Sequence, residues 1–156
     1  MSKPAQDPEA YPLGPALDFL QRLWRLNQAL EKLSSRMEKK LDVTAQARFV
    51  IRCIGKYPGV TAGQLAKLLH VDPGTVSAAL NRLELKGLLE RRQDPRDKRR
   101  AALGLTAKGR KLDRPALGTV EDAVERLLSS TAKADIEVTV RVIARLTQLL
   151  SDQASE

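Results

Sequence analysis

Apolar residues near the start of the chain recur every three or four positions, which is the spacing of one face of an α-helix. This stripe consists of Leu20, Leu23, Leu26, Leu30, Leu33, Met37 and Leu41. The pattern predicts a long amphipathic helix over residues 16–41. The fifteen residues before it mix polar side chains with four prolines, so we interpret them as a flexible leader rather than a signal peptide.

Two shorter helices are predicted next, each with a capping signal. Thr44 can cap a helix that carries Val50, Ile51 and Ile54 inward and ends at residues 57–59, a Tyr-Pro-Gly stop signal. Thr61 and Gln64 have the spacing of a capping box. They predict a short helix with three inward-facing leucines, Leu65, Leu68 and Leu69.

A fourth helix follows after a tight connection. Asp72 is an N-cap residue followed by Pro73 at the first helical position, and Gly87 is a typical residue at a helix C-terminus. The inward positions are Val76, Leu80 and Leu83. Because the connection before Asp72 is short, the third and fourth helices must cross steeply, and the fourth can project outward.

The pattern then changes to two strand-like runs, residues 88–93 and 100–105, separated by a turn sequence at 94–97. After Thr106, apolar spacing predicts one long helix as far as the break at 129–131, and a last helix follows. The inward residues of the long helix are Leu112, Ala116, Val120, Val124 and Leu127. Those of the last helix are Ile136, Val140, Ile143, Leu146 and Leu150.

This order of elements is that of a mainly α winged helix-turn-helix, with a two-stranded β-wing and long helices at both ends. We divide the 156 residues into a leader (1–15), an N-terminal helix (16–43), a winged helix-turn-helix (44–110) and C-terminal helices (111–156).

Charge narrows the choice of partner. The formal net charge is +8, and residues 86–111 hold ten positive and three negative side chains, so this short segment supplies +7. A concentrated basic patch indicates a polyanionic partner. Only 3 % of the residues are aromatic, which leaves little material for stacking single-stranded bases, so double-stranded DNA is favoured.

Composition also argues against other classes. One cysteine and one histidine cannot form an intramolecular disulfide or a structural zinc site. No apolar run is long enough to suggest a membrane span. Since no nucleophile has a recognisable base, we expect no enzyme activity. We also expect no cofactor and no metal, and the single cysteine favours a reducing compartment and hence a cytoplasmic location.

The fourth helix presents small and hydrogen-bonding side chains away from its core face. Ser77 and Asn81 are four positions apart and can reach base edges in a major groove. We predict that the DNA-contacting residues of this helix are Gly74, Thr75, Ser77, Ala78, Asn81 and Arg82. Thr61 and Gln64 begin the preceding helix, where backbone N–H groups favour a phosphate.

The basic ribbon supplies the second part of the predicted site. Arg96 lies at its tip, where a narrow hairpin can enter a minor groove. Phosphate contacts are predicted for Lys98, Arg99 and Arg100. Asp94 and Asp97 would repel phosphate, so we expect them to orient the arginines through charge-assisted hydrogen bonds.

Residues 41–106 resemble the multiple-antibiotic-resistance regulator (MarR) family. The matching motifs are Thr61-x-x-Gln64-Leu65-Ala66, Val71-Asp72-x-Gly74-x-Val76-Ser77, Asn81-Arg82-Leu83-Glu84-x-Lys86-Gly87-Leu88, Asp94-x-Arg96-Asp97-x-Arg99 and Leu105-Thr106-x-x-Gly109. At Ala78 many members carry a longer polar or basic residue, so we expect less base contact there and instead an apolar contact with a thymine methyl group.

The resemblance implies a homodimer whose first and last helices interlock and which binds a pseudo-palindromic operator. It also implies a small, often phenolic effector bound between the dimerisation helices and the DNA-binding lobe. Trp24, Phe49 and Cys53 are candidate lining residues for that pocket, although core packing is the simpler role of the two aromatic side chains. Cys53 is interpreted as an inert core residue, with a thiol-based redox sensor as the alternative.

The function predicted from these observations is a transcriptional regulator, in particular a repressor released by a small-molecule effector. Two alternatives stay open at this point. One is a winged-helix module that binds another protein, and the other is an architectural DNA-binding protein without an effector.

Overall fold

The structure is a computed structural model that describes residues 12–94 and 97–155, apart from the side chains of Asp94, Lys98 and Arg99. The described residues form seven helices and a two-stranded sheet in the order of a winged helix-turn-helix, which confirms the predicted fold class. The elements are α1 (Pro15–Leu41), α2 (Ala45–Lys56), α3 (Ala62–Leu69), α4 (Pro73–Leu85), β1 (Leu89–Asp94), β2 (Asp97–Leu105), α5 (Ala107–Leu112), α6 (Val120–Ser130) and α7 (Lys133–Gln153).

The predicted caps begin their helices. Thr44 Oγ1 accepts a hydrogen bond from the Ala47 N–H at 3.1 Å at the start of α2. Thr61 and Gln64 form a complete capping box, in which each side-chain oxygen accepts the other residue's N–H. Short polar side chains thus satisfy the N–H groups that the first turn of a helix leaves without partners.

One apolar core holds α2, α3, α4 and the hairpin together. Its members are Val43, Val50, Ile51, Ile54, Leu65, Ala66, Val76, Leu80, Leu83, Leu88, Leu89, Leu103 and Leu105. The prediction that Leu68 faces inward is wrong for the single chain, because its side chain is 44 % exposed. Leu65 and Leu69 occupy the inner face of α3, and Leu68 lies to one side of it, at the mouth of a cavity.

The hairpin is anchored at its base. β1 and β2 pair antiparallel, with Leu89 opposite Leu105 and Arg91 opposite Leu103. The Leu103 N–H donates to the Val60 carbonyl at 2.9 Å, and Thr61 forms a further bridge to Ala102. The segment before α3 therefore holds β2 from the side opposite β1.

The single long helix predicted after Thr106 is wrong. α5 ends at Leu112, and α6 begins only at Val120, after its N-cap Thr119. Pro115 has no N–H to donate to a preceding carbonyl, and Gly118 adopts a φ of 73°, so the chain cannot continue as a helix between them.

Gly109 allows α5 to lie against the end of the core. A Cβ atom at this position would be 2.0 Å from the Leu88 carbonyl oxygen. No residue larger than glycine fits without moving the backbone of either segment. This close approach explains the glycine that follows Thr106 by three positions in the sequence.

A buried arginine ties α2 to the segment between α5 and α6. Arg48 is only 1 % exposed, and its guanidinium donates hydrogen bonds to the carbonyl oxygens of Leu112 and Arg114. It also forms an ion pair with Glu121 of α6, with 3.0 Å between Nε and Oε1. One turn later on α2, Arg52 forms an ion pair with Asp113 at 3.1 Å. Neither ion pair was predicted from the sequence.

The helices at the two ends of the chain leave apolar surface uncovered. α6 and α7 contain no buried residue, and Met37 is the buried residue of α1. The exposed fractions include 65 % for Trp24, 60 % for Leu127 and 51 % for Ile143. In the part of the chain that the structure describes, no helix combines the length and apolar character needed to span a membrane.

Replacing Arg48 with Met should lower the free energy of unfolding by about 3 kcal/mol, because it removes two hydrogen bonds to carbonyls and leaves Glu121 without its counter-ion. Arg52→Met is the matched control on the same helix, and its half-buried ion pair predicts a loss of about 1 kcal/mol. Urea denaturation measures both variants. Equal losses would contradict the role assigned to Arg48.

Candidate nucleic-acid interface

The connection between α3 and α4 makes the sharp turn that projects α4 from the core. His70 ends α3 in the left-handed conformation with a φ of 51°, and the Val71 N–H donates back to the Ala66 carbonyl at 3.1 Å. His70 is exposed at this turn. Asp72 then caps α4.

The cap of α4 is charged and engages Thr75. The Asp72 carboxylate accepts the Thr75 N–H at 2.9 Å and also the Thr75 hydroxyl. These hydrogen bonds, the hydroxyl bond first, lower the pKa of Asp72 from its ordinary value. The Thr75 hydroxyl is therefore already donating within the protein, which leaves its oxygen as an acceptor.

The outer face of α4 carries all the residues predicted for it. Val76, Leu80 and Leu83 are buried, as expected for the inner face. The exposed residues are Gly74, Thr75, Ser77, Ala78, Asn81 and Arg82. Leu85, in the last turn of α4, is 89 % exposed. The sequence did not predict this exposure, because the side chain is apolar.

A side chain from the hairpin fixes Asn81. Arg91 of β1 donates from Nη2 to Asn81 Oδ1 at 2.6 Å and from Nε to Glu84 Oε2 at 3.1 Å. Arg91 thus contacts two residues of α4 on adjacent turns. In the sequence Arg91 is recognisable only as part of the basic segment. Its contact with Asn81, ten residues earlier, depends on how the hairpin packs against α4, which the sequence does not show.

The start of α3 lies beside the hairpin, but its two candidate side chains are engaged in the helix cap. Thr61 Oγ1 and Gln64 Oε1 both accept backbone N–H groups of the capping box. Contact with a phosphate from these two residues would therefore come from the Gln64 amide N–H₂ or from the Thr61 hydroxyl as a donor.

The tip of the hairpin falls partly outside the described residues. Arg96 lies outside them, as do the side chains of Asp94, Lys98 and Arg99. Arg100 is exposed, and its Nε lies 3.6 Å from Asp97 Oδ2. At this distance the two side chains form an ion pair, and the charge-assisted hydrogen bond expected of Asp97 stays a prediction.

Much of the charge in the basic segment is engaged within the protein. Among described side chains, four of its ten cations form ion pairs: Lys86 with Asp42, Arg91 with Glu84, Arg92 with Glu90 and Arg100 with Asp97. Asp42 and Glu84 come from outside the segment. The +7 counted along residues 86–111 therefore overstates the charge available to a partner.

The residues suggested for an effector pocket lie in two places. Phe49 and Cys53 line an open cavity of about 490 Å³ between α2, α3 and the end of α5, together with Tyr57 and Leu68. Trp24 instead lines a groove along α1 with Leu13, Leu17 and Leu20. Within one chain the structure does not bring Trp24 to Phe49 and Cys53.

Burial raises the pKa of the Cys53 thiol, and the nearby Lys56 charge lowers it in part. A raised pKa keeps the thiol protonated and weakens its reactivity. Among the described residues, no group of three or more His, Cys, Asp or Glu side chains is placed to hold a metal ion.

Comparison with known proteins agrees with this geometry. Residues 43–101 match the model of the MarR family. The chain is 28 % identical over 123 residues to the transcriptional regulator HosA of Escherichia coli O111:H-, covering 78 % of this chain and 91 % of HosA.

Two solved structures share the fold over most of the chain. FabT of Streptococcus pneumoniae in complex with DNA is 31 % identical, with a TM-score of 0.63, covering 88 % of this chain and 96 % of FabT. The S. aureus MepR–DNA complex is 28 % identical, with a TM-score of 0.66, covering 87 % of this chain and 96 % of MepR.

A protruding helix held against a basic hairpin defines the class of winged helix-turn-helix transcriptional regulators. Within that class, the chain belongs to the MarR family.

The cap of α4 makes a prediction about pH. The folded pKa of Asp72 lies below its unfolded pKa, so its stabilisation is complete above the unfolded pKa and is lost as the pH falls through the folded pKa. Asn at this position still caps a helix but does not titrate. The urea midpoint should therefore fall less steeply with acidification in Asp72→Asn than in the wild type, and parallel curves would contradict the assignment.

Proposed function

We propose that two copies of this chain bind a pseudo-palindromic operator and repress transcription by occupying it. The chain is a sequence-specific DNA-binding transcriptional regulator of the MarR family. One observation carries the proposal furthest: the outer face of α4 has small and hydrogen-bonding side chains, and a basic hairpin lies directly beside it.

In the proposed complex, α4 enters the major groove. Ser77 and Asn81 contact base edges, and Ala78 is short enough to contact a thymine methyl group. Thr75 and Arg82 are seven positions apart, so they lie together on one side of this face and would contact the DNA backbone. Gly74 in the first turn of α4 allows the helix to approach a phosphate closely.

The hairpin would provide the flanking contacts. Arg96 enters the minor groove, and Lys98, Arg99 and Arg100 neutralise phosphates. Asp97, paired with Arg100, limits the directions that this guanidinium can take. Asp94 is assigned the same orienting role from its place in the sequence.

The uncovered apolar faces of α1, α6 and α7 support a homodimer. Exposed leucines, valines and isoleucines on three helices at the chain ends are costly in water, and a second copy can cover them. We retain residues 16–43 and 111–156 as the dimerisation parts and residues 44–110 as the DNA-binding part. Two-fold symmetry would then place the α4 helices in successive major grooves, about 34 Å apart.

We also propose that a small aromatic ligand releases the DNA. The cavity beside Phe49 has the size of a small-molecule site, and it lies where α2 meets the end of α5. Arg52 and Asp113 line the same cavity, and Asp113 begins the connection toward α6. A ligand there can shift the DNA-binding part relative to the dimer helices and so change the spacing of the α4 helices. The raised pKa of Cys53 favours this ligand over thiol oxidation as the signal.

DNA binding separates the roles of α4 and the hairpin. Ser77→Ala and Asn81→Ala should weaken binding to the specific duplex about tenfold, with little effect on a scrambled duplex, because they remove hydrogen bonds to bases. Arg96→Ala with Arg99→Ala should weaken binding to both duplexes equally. The slope of log affinity against log salt should also fall, by about 0.9 for each phosphate that is no longer neutralised.

Fluorescence anisotropy over a salt series measures these effects. Arg141→Ala is the control, since this arginine is exposed on α7, away from α4 and the hairpin, and should change neither quantity. Unchanged affinity in the double hairpin variant would refute the role of the wing. Equal affinity of the wild type for specific and scrambled duplexes would favour an architectural protein, and no DNA binding would favour a protein-interaction module.

Oligomeric state tests the dimer. Ile143→Lys should raise the dimer dissociation constant at least about tenfold, since Ile143 is exposed in the single chain and each dimer would lose two apolar side chains from the proposed interface. Gln148→Lys adds the same charge on another face of α7, beside Asp152, and should leave the dimer intact. Sedimentation equilibrium measures both, and a wild-type monomer would refute the proposal.

A further inference from the structure

The contact between Arg91 and Asn81 has a consequence for which base Asn81 can recognise. A carboxamide can read adenine with two hydrogen bonds, accepting from N6 through its oxygen and donating to N7 through its nitrogen. That readout requires both ends of the amide to be available to the DNA. In this protein Arg91 donates to one of the two lone pairs of that oxygen and holds it toward the hairpin.

The chemistry of the guanidinium decides which end is occupied. Arginine has only N–H donors, so the atom of Asn81 that faces Arg91 at 2.6 Å must be the carbonyl oxygen Oδ1. The opposite orientation would place two donors against each other. Asn81 therefore keeps its amide N–H₂ group for an external partner.

A second hydrogen bond and the position of Arg91 in β1 also fix its side chain. Its Nε donates to Glu84 Oε2 at 3.1 Å, which fixes the plane of the guanidinium. Its strand position is opposite the buried Leu103, so its side chain leaves the hairpin on the face that packs toward α4. Arg92 follows it on the other face and pairs with Glu90 instead.

We propose that Arg91 is a specificity-determining positioning residue that holds the Asn81 carbonyl oxygen toward the hairpin and leaves the N–H₂ group to face the base, so that Asn81 prefers guanine to adenine. Guanine presents two acceptors, O6 and N7, and no donor in the major groove, whereas adenine and cytosine present an amino donor there. An N–H₂ group that faces the base matches the guanine edge, whereas reading adenine with two hydrogen bonds would require the carbonyl oxygen held by Arg91 to turn toward N6. This inference rests on the proposed binding of α4 in the major groove.

Selection from a library of random-sequence DNA duplexes tests the assignment. The base pair that Asn81 contacts is the one whose preference disappears when the Asn81→Ala selection is compared with the wild type. Guanine is expected there, with at least about fivefold weaker binding of the adenine-substituted duplex. Replacing this guanine by 7-deazaguanine should also weaken binding, because it removes the N7 acceptor.

Arg91→Met tests the positioning role. The freed carboxamide can rotate and present both ends, so the guanine-to-adenine ratio should fall to within about twofold. Arg92→Met is the matched control, because it removes the same charge from the adjacent strand position, where the side chain pairs with Glu90, and should leave the ratio unchanged. Arg91→Lys retains a donor for Asn81 and should retain the guanine preference. Thermal unfolding checks that each variant is folded.

Several results would overturn the inference. Adenine preference of the wild type at the Asn81 position would do so, and this comparison stands even if Arg91→Met does not fold. If Arg91→Met weakens binding to all duplexes and leaves the guanine-to-adenine ratio unchanged, Arg91 contributes only its positive charge and does not position Asn81. If the wild type selects no sequence at all, the proposed function itself fails, which is a distinguishable result.

Discussion

The buried guanidinium of Arg48 links the two halves of this protein. It donates to the carbonyl oxygens at the end of α5 and just beyond it, and it pairs with Glu121 in the first turn of α6. Few apolar contacts join these segments, because α6 and α7 bury no residue in the single chain. The direction in which α6 leaves the core therefore depends on a charged contact whose loss is costly in a buried place.

This arrangement places the candidate ligand cavity next to the link. Arg52 and Asp113 pair one helical turn from Arg48 and also line the cavity beside Phe49. A change at the cavity can therefore reach the segment that joins the DNA-binding part to the terminal helices.

The basic residues of the hairpin serve two different purposes. Arg91 pairs with Glu84 and connects β1 to α4, and Arg92 pairs with Glu90 within β1. The arginines nearer the tip remain candidates for phosphate contact. Net charge alone does not distinguish these groups.

Local signals made most of the fold predictable. The capping residues Thr44, Thr61 and Asp72 begin helices where the sequence indicated, because their hydrogen bonds involve residues only three positions away. The long helix predicted after Thr106 is wrong because apolar spacing continues across Pro115 and Gly118, whose backbone preferences interrupt the helix. The outer face of α4 followed directly from its inner face, since a helix has a fixed period.

The order of the elements, the inner and outer faces of α4 and the resemblance to the MarR family can all be read from the residues in order. The pairings between distant residues cannot, and the folded chain was needed to show Arg48 with Glu121 and Arg91 with Asn81. The helical period predicts the direction of a side chain, but not the residue that the side chain contacts. An arginine on a polar face looks the same in the sequence whether it faces solvent, a phosphate or a buried carboxylate.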